Sequence, residues 1–175
     1  MLSRCCSPYA IVPSHAEGRA IIEYLKRMSR AQRTHNCVLD SFSLSRVPPE
    51  VIVSSSDFNG LVDLTSLDMR DNRLVMLTRG VEKLHRLTYL NLSYNDLDTL
   101  PPEVQELSQL TTLDVSHNAL EAFPPGIGLM AALINWEFDG NPKLRLPKNL
   151  LRRPVATEEE SFEVLVFLWW LTTRF

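Results

Sequence analysis

Apolar residues recur through the middle of the chain with a period of 23 residues, in register with a column of asparagines at Asn72, Asn95, Asn118 and Asn141. An apolar residue stands five positions before each asparagine, at Leu67, Leu90, Leu113 and Trp136. Another stands three positions before it, at Met69, Leu92, Val115 and Phe138. Positions two residues apart face the same side of a β-strand. The pattern therefore predicts one short strand per repeat, with these two side chains directed inward.

Further apolar columns follow each asparagine, as Leu97, Leu100 and Val104 follow Asn95. In the last repeat Lys143 stands in the first of these columns, and we expect Leu144 to replace it. Because one repeat of this size cannot bury its apolar face alone, copies stack and each column becomes a continuous stripe of core. The asparagine carboxamide offers one acceptor and two donors to backbone groups where the chain leaves the strand.

The segment from Leu87 to Val104 resembles the LxxLxLxxNxLxxLPxxhxxL consensus of leucine-rich repeats. Its Leu100-Pro101 pair is similar to the variant found in the Ras-group intracellular proteins. The likeness extends over four registers, from Leu64 to Leu150. It implies an α/β fold, a short right-handed solenoid with a parallel concave sheet, and protein binding as the usual family role. Ras binding does not follow from it, because the matching positions belong to the scaffold.

A degenerate copy precedes the four regular repeats. Leu44 and Val47 occupy the expected places, but Phe42 stands where the asparagine should be. The spacing from Leu44 to Leu74 is 30 rather than 23 residues, which indicates an insertion of about seven residues within 54–60. Terminal repeats are commonly atypical. We expect the five repeats to occupy residues 37–154.

Both open ends of such an array need covers. Ser14 and Glu17 have capping-box spacing, and an apolar stripe of helical period follows at Ile21, Tyr24, Leu25 and Met28. This pattern predicts a capping helix within 14–36, after a disordered or extended tail over 1–13. Thr157 and Glu160 have the same spacing, which predicts a second capping helix within 155–175.

The second helix is apolar on all sides, as far as Trp169 and Trp170. Two interpretations remain open: the helix is wedged between the last coil and residues 152–154, or it exposes a patch that docks a partner. A strand in place of this helix is the weaker third option.

Function is expected at the outward strand positions, because the inward side chains belong to the core. Stacking arranges these candidate partner-binding residues in columns: Asp68, Arg70, Asp71, Asn91, Tyr94, Asp114, His117 and Glu137. An acidic column suits a basic segment, and tyrosine is enriched at binding hot spots. Trp169 and Trp170 form the competing surface. For each residue the alternative is a solvated side chain without a contact.

The sequence contains no motif typical of nucleic-acid binding, metal binding, cofactor binding or catalysis. The formal net charge is −3 and Arg152-Arg153 is an isolated basic pair, so we expect no nucleic-acid partner. His15, His35, His85 and His117 show no metal-ligand spacing, and the glycines form no phosphate-binding loop. We therefore expect no metal, no cofactor, no small-molecule substrate and no catalytic residues.

Cysteine use and hydropathy bear on location. Cys5, Cys6 and Cys37 form no CxxC pair, which favours a reducing compartment, and Cys37 suits a small core residue. The longest apolar run, Val164 to Leu171, is far shorter than the ~20 residues that span a bilayer. The first acidic residue is Glu17, as in transit peptides, but an arginine-rich amphipathic helix is missing. We expect a cytoplasmic protein, with mitochondrial import as the lesser alternative.

These observations favour a non-enzymatic adaptor, or a structural subunit of a large protein complex such as a cytoskeletal or axonemal assembly. The alternative from another class is a targeting or regulatory subunit of an enzyme such as a phosphatase or a ubiquitin ligase.

Overall fold

The computed structural model describes residues 18–52, 61–77 and 79–144. Five short strands form one parallel sheet in sequence order: β1 (Asn36–Val38), β2 (Ser66–Asp68), β3 (Tyr89–Asn91), β4 (Thr112–Asp114) and β5 (Asn135–Glu137). The register aligns one inward residue per strand: Cys37, Leu67, Leu90, Leu113 and Trp136. The predicted α/β repeat fold with a parallel sheet is confirmed.

Short helical segments return the chain from one strand to the next. They are α2 (Pro49–Ile52) and the 3-10 helices Val81–Lys83, Pro102–Glu106 and Pro125–Leu129. Pro101 and Pro124 precede the last two in extended conformation, with φ near −69° and −64°. Proline cannot continue a hydrogen-bonded ladder, so it directs the chain out of the strand section and into the next helix. Successive 3-10 helices pack on each other as a second layer beside the sheet.

The core is one continuous cluster that runs through all five coils. The inward columns expected from the repeat are buried, and Cys37 is a fully buried free thiol. Leu144 packs against this core, as expected, while the exposed Lys143 bonds Glu121 through Nζ at 3.3 Å. In the last coil, Phe123 meets Trp136 edge to face with ring centroids 4.5 Å apart.

The asparagine column is buried and joins neighbouring coils. The Asn95 amide Nδ2 donates to the carbonyls of Leu92 and Met69, both at 3.0 Å, and Oδ1 accepts the Leu74 N–H at 2.9 Å. Asn118 and Asn141 repeat this arrangement. Each carboxamide therefore satisfies backbone groups of its own coil and of the coil before it.

The first coil, which has Phe42 in place of an asparagine, uses the carboxamide of the second. Asn72 Oδ1 accepts the N–H groups of Phe42 and Leu44 at 3.1 and 2.9 Å, and Nδ2 donates to the Leu39 carbonyl at 2.8 Å. The degenerate repeat thus keeps its backbone satisfied without its own asparagine.

Helix α1 (Gly18–Thr34) packs against β1. Met28 and Ala31 are buried against the first coil, and Tyr24 meets Phe42 edge to face at 5.8 Å. Ile21 and Leu25, which belong to the predicted apolar stripe, are exposed. The contact occupies a narrower sector of the helix than the apolar residues do.

Several sequence predictions lie outside the described residues: the tail over 1–13, the capping box at Ser14 and Glu17, the insertion within 54–60, and the helix within 155–175. Among the described residues, no helix has the length and apolar character needed to cross a bilayer.

Candidate functional site

The outward side chains of the sheet and of the residues just after each strand form one surface, which we call the sheet face. The strand register and the constant repeat stack these side chains in columns. The structure brings eight predicted residues together there: Asp68, Arg70, Asp71, Asn91, Tyr94, Asp114, His117 and Glu137. Trp169 and Trp170 lie outside the described residues.

Charge on the sheet face is distributed unevenly. At the β1 end, Arg27 of α1 bonds the Asp40 carboxylate and lies 3.2 Å from Glu23. Next to it, Arg70 Nε lies 3.7 Å from Asp68 Oδ2. The outward positions of β3, β4 and β5 and the residues just after them, all within the described part, hold acidic residues and no lysine or arginine. The acidic excess therefore lies toward β5, at Asp114, Glu137 and Asp139.

Among the titratable groups of the sheet face, Asp68 is the one whose pKa is most clearly shifted by its environment. Burial raises the pKa of the Asp68 carboxyl, and the neighbouring Asp40 and Asp114 carboxylates raise it further. The backbone N–H and the guanidinium of Arg70 oppose this change. A cation added by a partner would lower the pKa again and strengthen the charged form.

A turn that begins at the end of β2, β3 and β4 fixes the outward carboxylate or amide of that strand. Asp114 Oδ1 accepts the backbone N–H and the hydroxyl of Ser116 at 3.0 and 2.7 Å. Asp68 Oδ1 accepts the backbone N–H of Arg70 at 3.1 Å. Asx side chains stabilise such turns by bonding the backbone two residues on. The side chains are therefore held in place before any partner binds.

Asn91 departs from the predicted exposed column. Its Oδ1 accepts the N–H and the hydroxyl of Ser93 at 2.9 and 2.7 Å, and its Nδ2 donates to the Tyr89 hydroxyl at 3.1 Å. The residue is only 5% exposed, so these internal bonds occupy the carboxamide. Asn91 is thus a buried part of the sheet face, because Tyr89 and Ser93 enclose it.

The position before each asparagine has left-handed backbone conformation. Asp71, Tyr94 and His117 have φ of 54°, 53° and 51°, and Gly140 follows with 73°. The imidazole of His117 stacks on the Tyr94 ring with centroids 4.3 Å apart, and Tyr94 is exposed. Asp71 Oδ2 accepts the Ser41 hydroxyl at 2.7 Å. An aromatic pair therefore borders the acidic part of the sheet face.

Two features of this surface were missed by the sequence reasoning. Tyr89 lies in a further outward column, with its register partners Ser66 and Thr112. Along the edge, the hydroxyls of Thr88 and Thr111 each donate at 2.9 Å to the backbone carbonyl of the threonine one coil earlier. The 23-residue spacing of Thr65, Thr88 and Thr111 is the signal that could have revealed this ladder.

The residues described hold no group of three or more His, Cys, Asp or Glu side chains suited to a metal ion. What the geometry offers is a row of fixed carboxylates next to two stacked rings. Such a surface is suited to electrostatic and aromatic contacts with a partner.

Comparison with known proteins finds similarity over part of the chain. The family model described as leucine rich repeat matches residues 62–120. A search of curated proteins found no match. Similar solved structures are a leucine-rich-repeat protein of Leptospira interrogans (22% identity, TM-score 0.47) and the functional domain of InlJ from Listeria monocytogenes (26%, 0.46). A third is YopM, a leucine-rich effector of Yersinia pestis (21%, 0.46).

These structures are longer than the present chain. The matches cover 64%, 65% and 75% of this chain but only 36%, 26% and 44% of the Leptospira, Listeria and Yersinia chains, respectively.

Proposed function

We propose, from the premise that this chain is a leucine-rich-repeat protein, that it binds a basic segment of a partner protein on its sheet face. Repeats of this family generally mediate protein–protein interaction, which supports a binding role rather than a catalytic one. The observation that carries the proposal is the pairing of an acidic excess at β4 and β5 with the adjacent rings of Tyr94 and His117.

The chemistry of this pairing favours arginine or lysine in the partner. Carboxylates at Asp114 and Glu137 lie in one column, since the two residues are register partners in neighbouring strands. A partner strand or loop that crosses the sheet would meet both. The exposed Tyr94 ring suits a guanidinium, which stacks on aromatic rings and forms paired hydrogen bonds with carboxylates.

Rigidity supports the same role. The Asp114 carboxylate is held by two bonds from Ser116, and Tyr94 is held by its neighbour ring. Side chains that are fixed before binding lose little conformational entropy on complex formation.

We place this activity in a cytoplasmic adaptor or in a structural subunit of a larger assembly, such as a cytoskeletal or axonemal complex. The alternative is a targeting or regulatory subunit of an enzyme such as a phosphatase or a ubiquitin ligase. These roles differ in what co-purifies with the chain. A fixed subunit co-purifies with one assembly in constant ratio, and a targeting subunit co-purifies with a catalytic partner.

The test is affinity purification from the native cell, followed by mass spectrometry, with wild type and Asp114→Arg. The matched control is Glu106→Arg, which makes the same charge change at an exposed residue of the 3-10 helix Pro102–Glu106. We expect Asp114→Arg to reduce recovery of the principal partner at least about tenfold, because it opposes a basic segment, and Glu106→Arg to leave recovery unchanged. Equal recovery by wild type and Asp114→Arg would remove the sheet face from consideration.

A third variant, Trp169→Ala with Trp170→Ala, tests the competing surface. Loss of one stoichiometric assembly from this variant alone would assign partner binding to the C-terminal segment. Loss from Asp114→Arg alone supports the proposal.

A further inference from the structure

Helix α1 exposes an apolar strip on the side that faces away from the first coil. Ile22 and Leu25 are 55% and 59% exposed, and Ile21 borders them. The opposite side of the helix already covers the coil through Met28 and Ala31. The helix is therefore apolar on a second side, which its capping role does not use.

Cations line this strip. Lys26, Arg30 and Arg33 form a shallow groove on the helix together with Ile22 and Leu25. Among the residues that the structure describes, these three cations are in no ion pair, whereas Arg27 pairs with Glu23 and Asp40. The groove thus combines aliphatic side chains with unpaired positive charge, and it fits an acidic segment that carries large apolar residues.

The sequence of this chain contains a segment with that chemistry. Residues 157–171 hold four glutamates, Glu158, Glu159, Glu160 and Glu163, followed by the apolar run Val164 to Leu171. The segment contains no lysine or arginine. We propose that residues 157–171 of one copy dock on the outward side of α1 of a second copy.

Helix α1 and strand β5 lie at opposite ends of the repeat array. Helix α1 packs on β1, and β5 lies at the other edge of the five-stranded sheet, roughly four strand spacings or ~19 Å away. The chain from Leu144 to Thr157 could span ~43 Å if extended, so the experiment distinguishes docking on a second copy from docking on the same chain. A contact between residues 157–171 of one copy and α1 of another joins two different surfaces of the chain. Such a contact is heterologous and builds chains of copies unless it closes.

The test uses the full chain and a charge exchange. Sedimentation equilibrium over a range of concentrations is compared for wild type, for Lys26→Glu/Arg30→Glu/Arg33→Glu, and for Glu158→Lys/Glu159→Lys/Glu160→Lys. We expect self-association in wild type, weakened at least about tenfold in either variant because like charges then face each other. A chain that carries all six substitutions should regain association to within about threefold of wild type.

Mixing the two triple variants gives a second readout, because both junctions between unlike variants are complementary. The mixture should associate into species in which the two variants alternate, under conditions where each variant alone is monomeric. Far-ultraviolet circular dichroism establishes that each variant is folded.

Three outcomes would overturn the proposal. One is a wild-type chain that is monomeric at every concentration. Another is a six-fold variant that stays monomeric but regains thermal stability, which would place the segment on its own chain. The last is cosedimentation with anionic phospholipid vesicles that the α1 variant loses without any change in self-association, which would assign the strip to a lipid surface. Each leaves the sheet face untouched, so failure here is distinguishable from failure of the proposed function.

Discussion

The imidazole of His117 stacks on the phenol ring of Tyr94, with planes only 12° from parallel. Both residues have left-handed backbone, which costs a side chain with a Cβ atom about 1 to 2 kcal/mol. The stacked rings offset part of this cost. On the far side of the imidazole lies Gly140, where an added Cβ would stand 2.6 Å from Nδ1 of His117. The absence of a side chain at Gly140 thus leaves room for the ring pair.

Gly140→Ala is expected to destabilise the protein by about 1 to 2 kcal/mol, since alanine is strained at φ of 73° and its methyl group displaces the imidazole. Urea unfolding measures the loss. In a His117→Ala background, the part of this loss that comes from the clash with the imidazole should disappear, and only the part that comes from backbone strain should remain. An equal loss in both backgrounds would mean that His117 does not depend on the space at Gly140.

Asn118→Ala should cost about 3 kcal/mol of unfolding free energy, because the Leu97 N–H and several carbonyls lose a buried partner. The control is Asn135→Ala, at an exposed asparagine whose one side-chain bond, to Thr112, is 3.5 Å long. Urea unfolding followed by circular dichroism should give little change for the control. Similar losses in the two variants would contradict the role given to the asparagine column.

Asp68→Asn should stabilise the protein at neutral pH. Burial raises the pKa of the Asp68 carboxyl above its unfolded value, so the folded state holds more protons than the unfolded state between the two pKa values. Stability contributed by this residue therefore falls as pH rises through that window, and it stays lowered at neutral pH.

The advantage of Asp68→Asn over wild type should accordingly shrink as the pH is lowered to about 3, where the carboxyl is protonated in both states. Urea midpoints measured at both pH values test this. Asp96→Asn, at an exposed residue, serves as the control. A variant that is less stable than wild type at neutral pH would show that the interaction with Arg70 outweighs burial.

Cys37 should resist thiol reagents in the folded protein. Burial raises the pKa of its thiol to about 12, although Arg27 opposes the change, and the thiolate is the reactive form. In a chain with Cys5→Ser and Cys6→Ser, a colorimetric disulfide reagent at neutral pH should label Cys37 at least about a thousandfold more slowly than in urea. Rapid labelling of the native chain would mean that α1 separates readily from β1.

The parts of the fold that repeat were accessible to sequence reasoning. Four copies in register place Leu67, Leu90 and Leu113 at equivalent positions, and such agreement leaves one consistent assignment of inward and outward sides. The degenerate first coil could also be predicted, because Leu44 and Val47 keep their places. Substitution of Leu144 for Lys143 could be anticipated, since the core column needs an apolar group nearby.

Contacts between unlike side chains were not accessible in this way. The burial of Asn91 depends on Tyr89 and Ser93, neither of which follows the repeat consensus. The ring pair depends on the backbone conformation at Tyr94 and His117, which periodicity does not indicate. For α1, the helical period identified the apolar residues. The period does not indicate how many of them contact the first coil, because that depends on tertiary packing, and Leu25 is exposed.

Every asparagine of the column reaches back toward the N-terminus, and this direction bears on how the protein is made. The N–H groups of Leu74, Leu97 and Leu120 each donate to an asparagine Oδ1 that lies 21 residues further along the chain. The N–H group of Phe42 donates to one that lies 30 residues further along. During synthesis a coil therefore remains incomplete until its successor has left the ribosome. Completion of the hydrogen bonds in the array therefore follows chain synthesis with a delay of one coil.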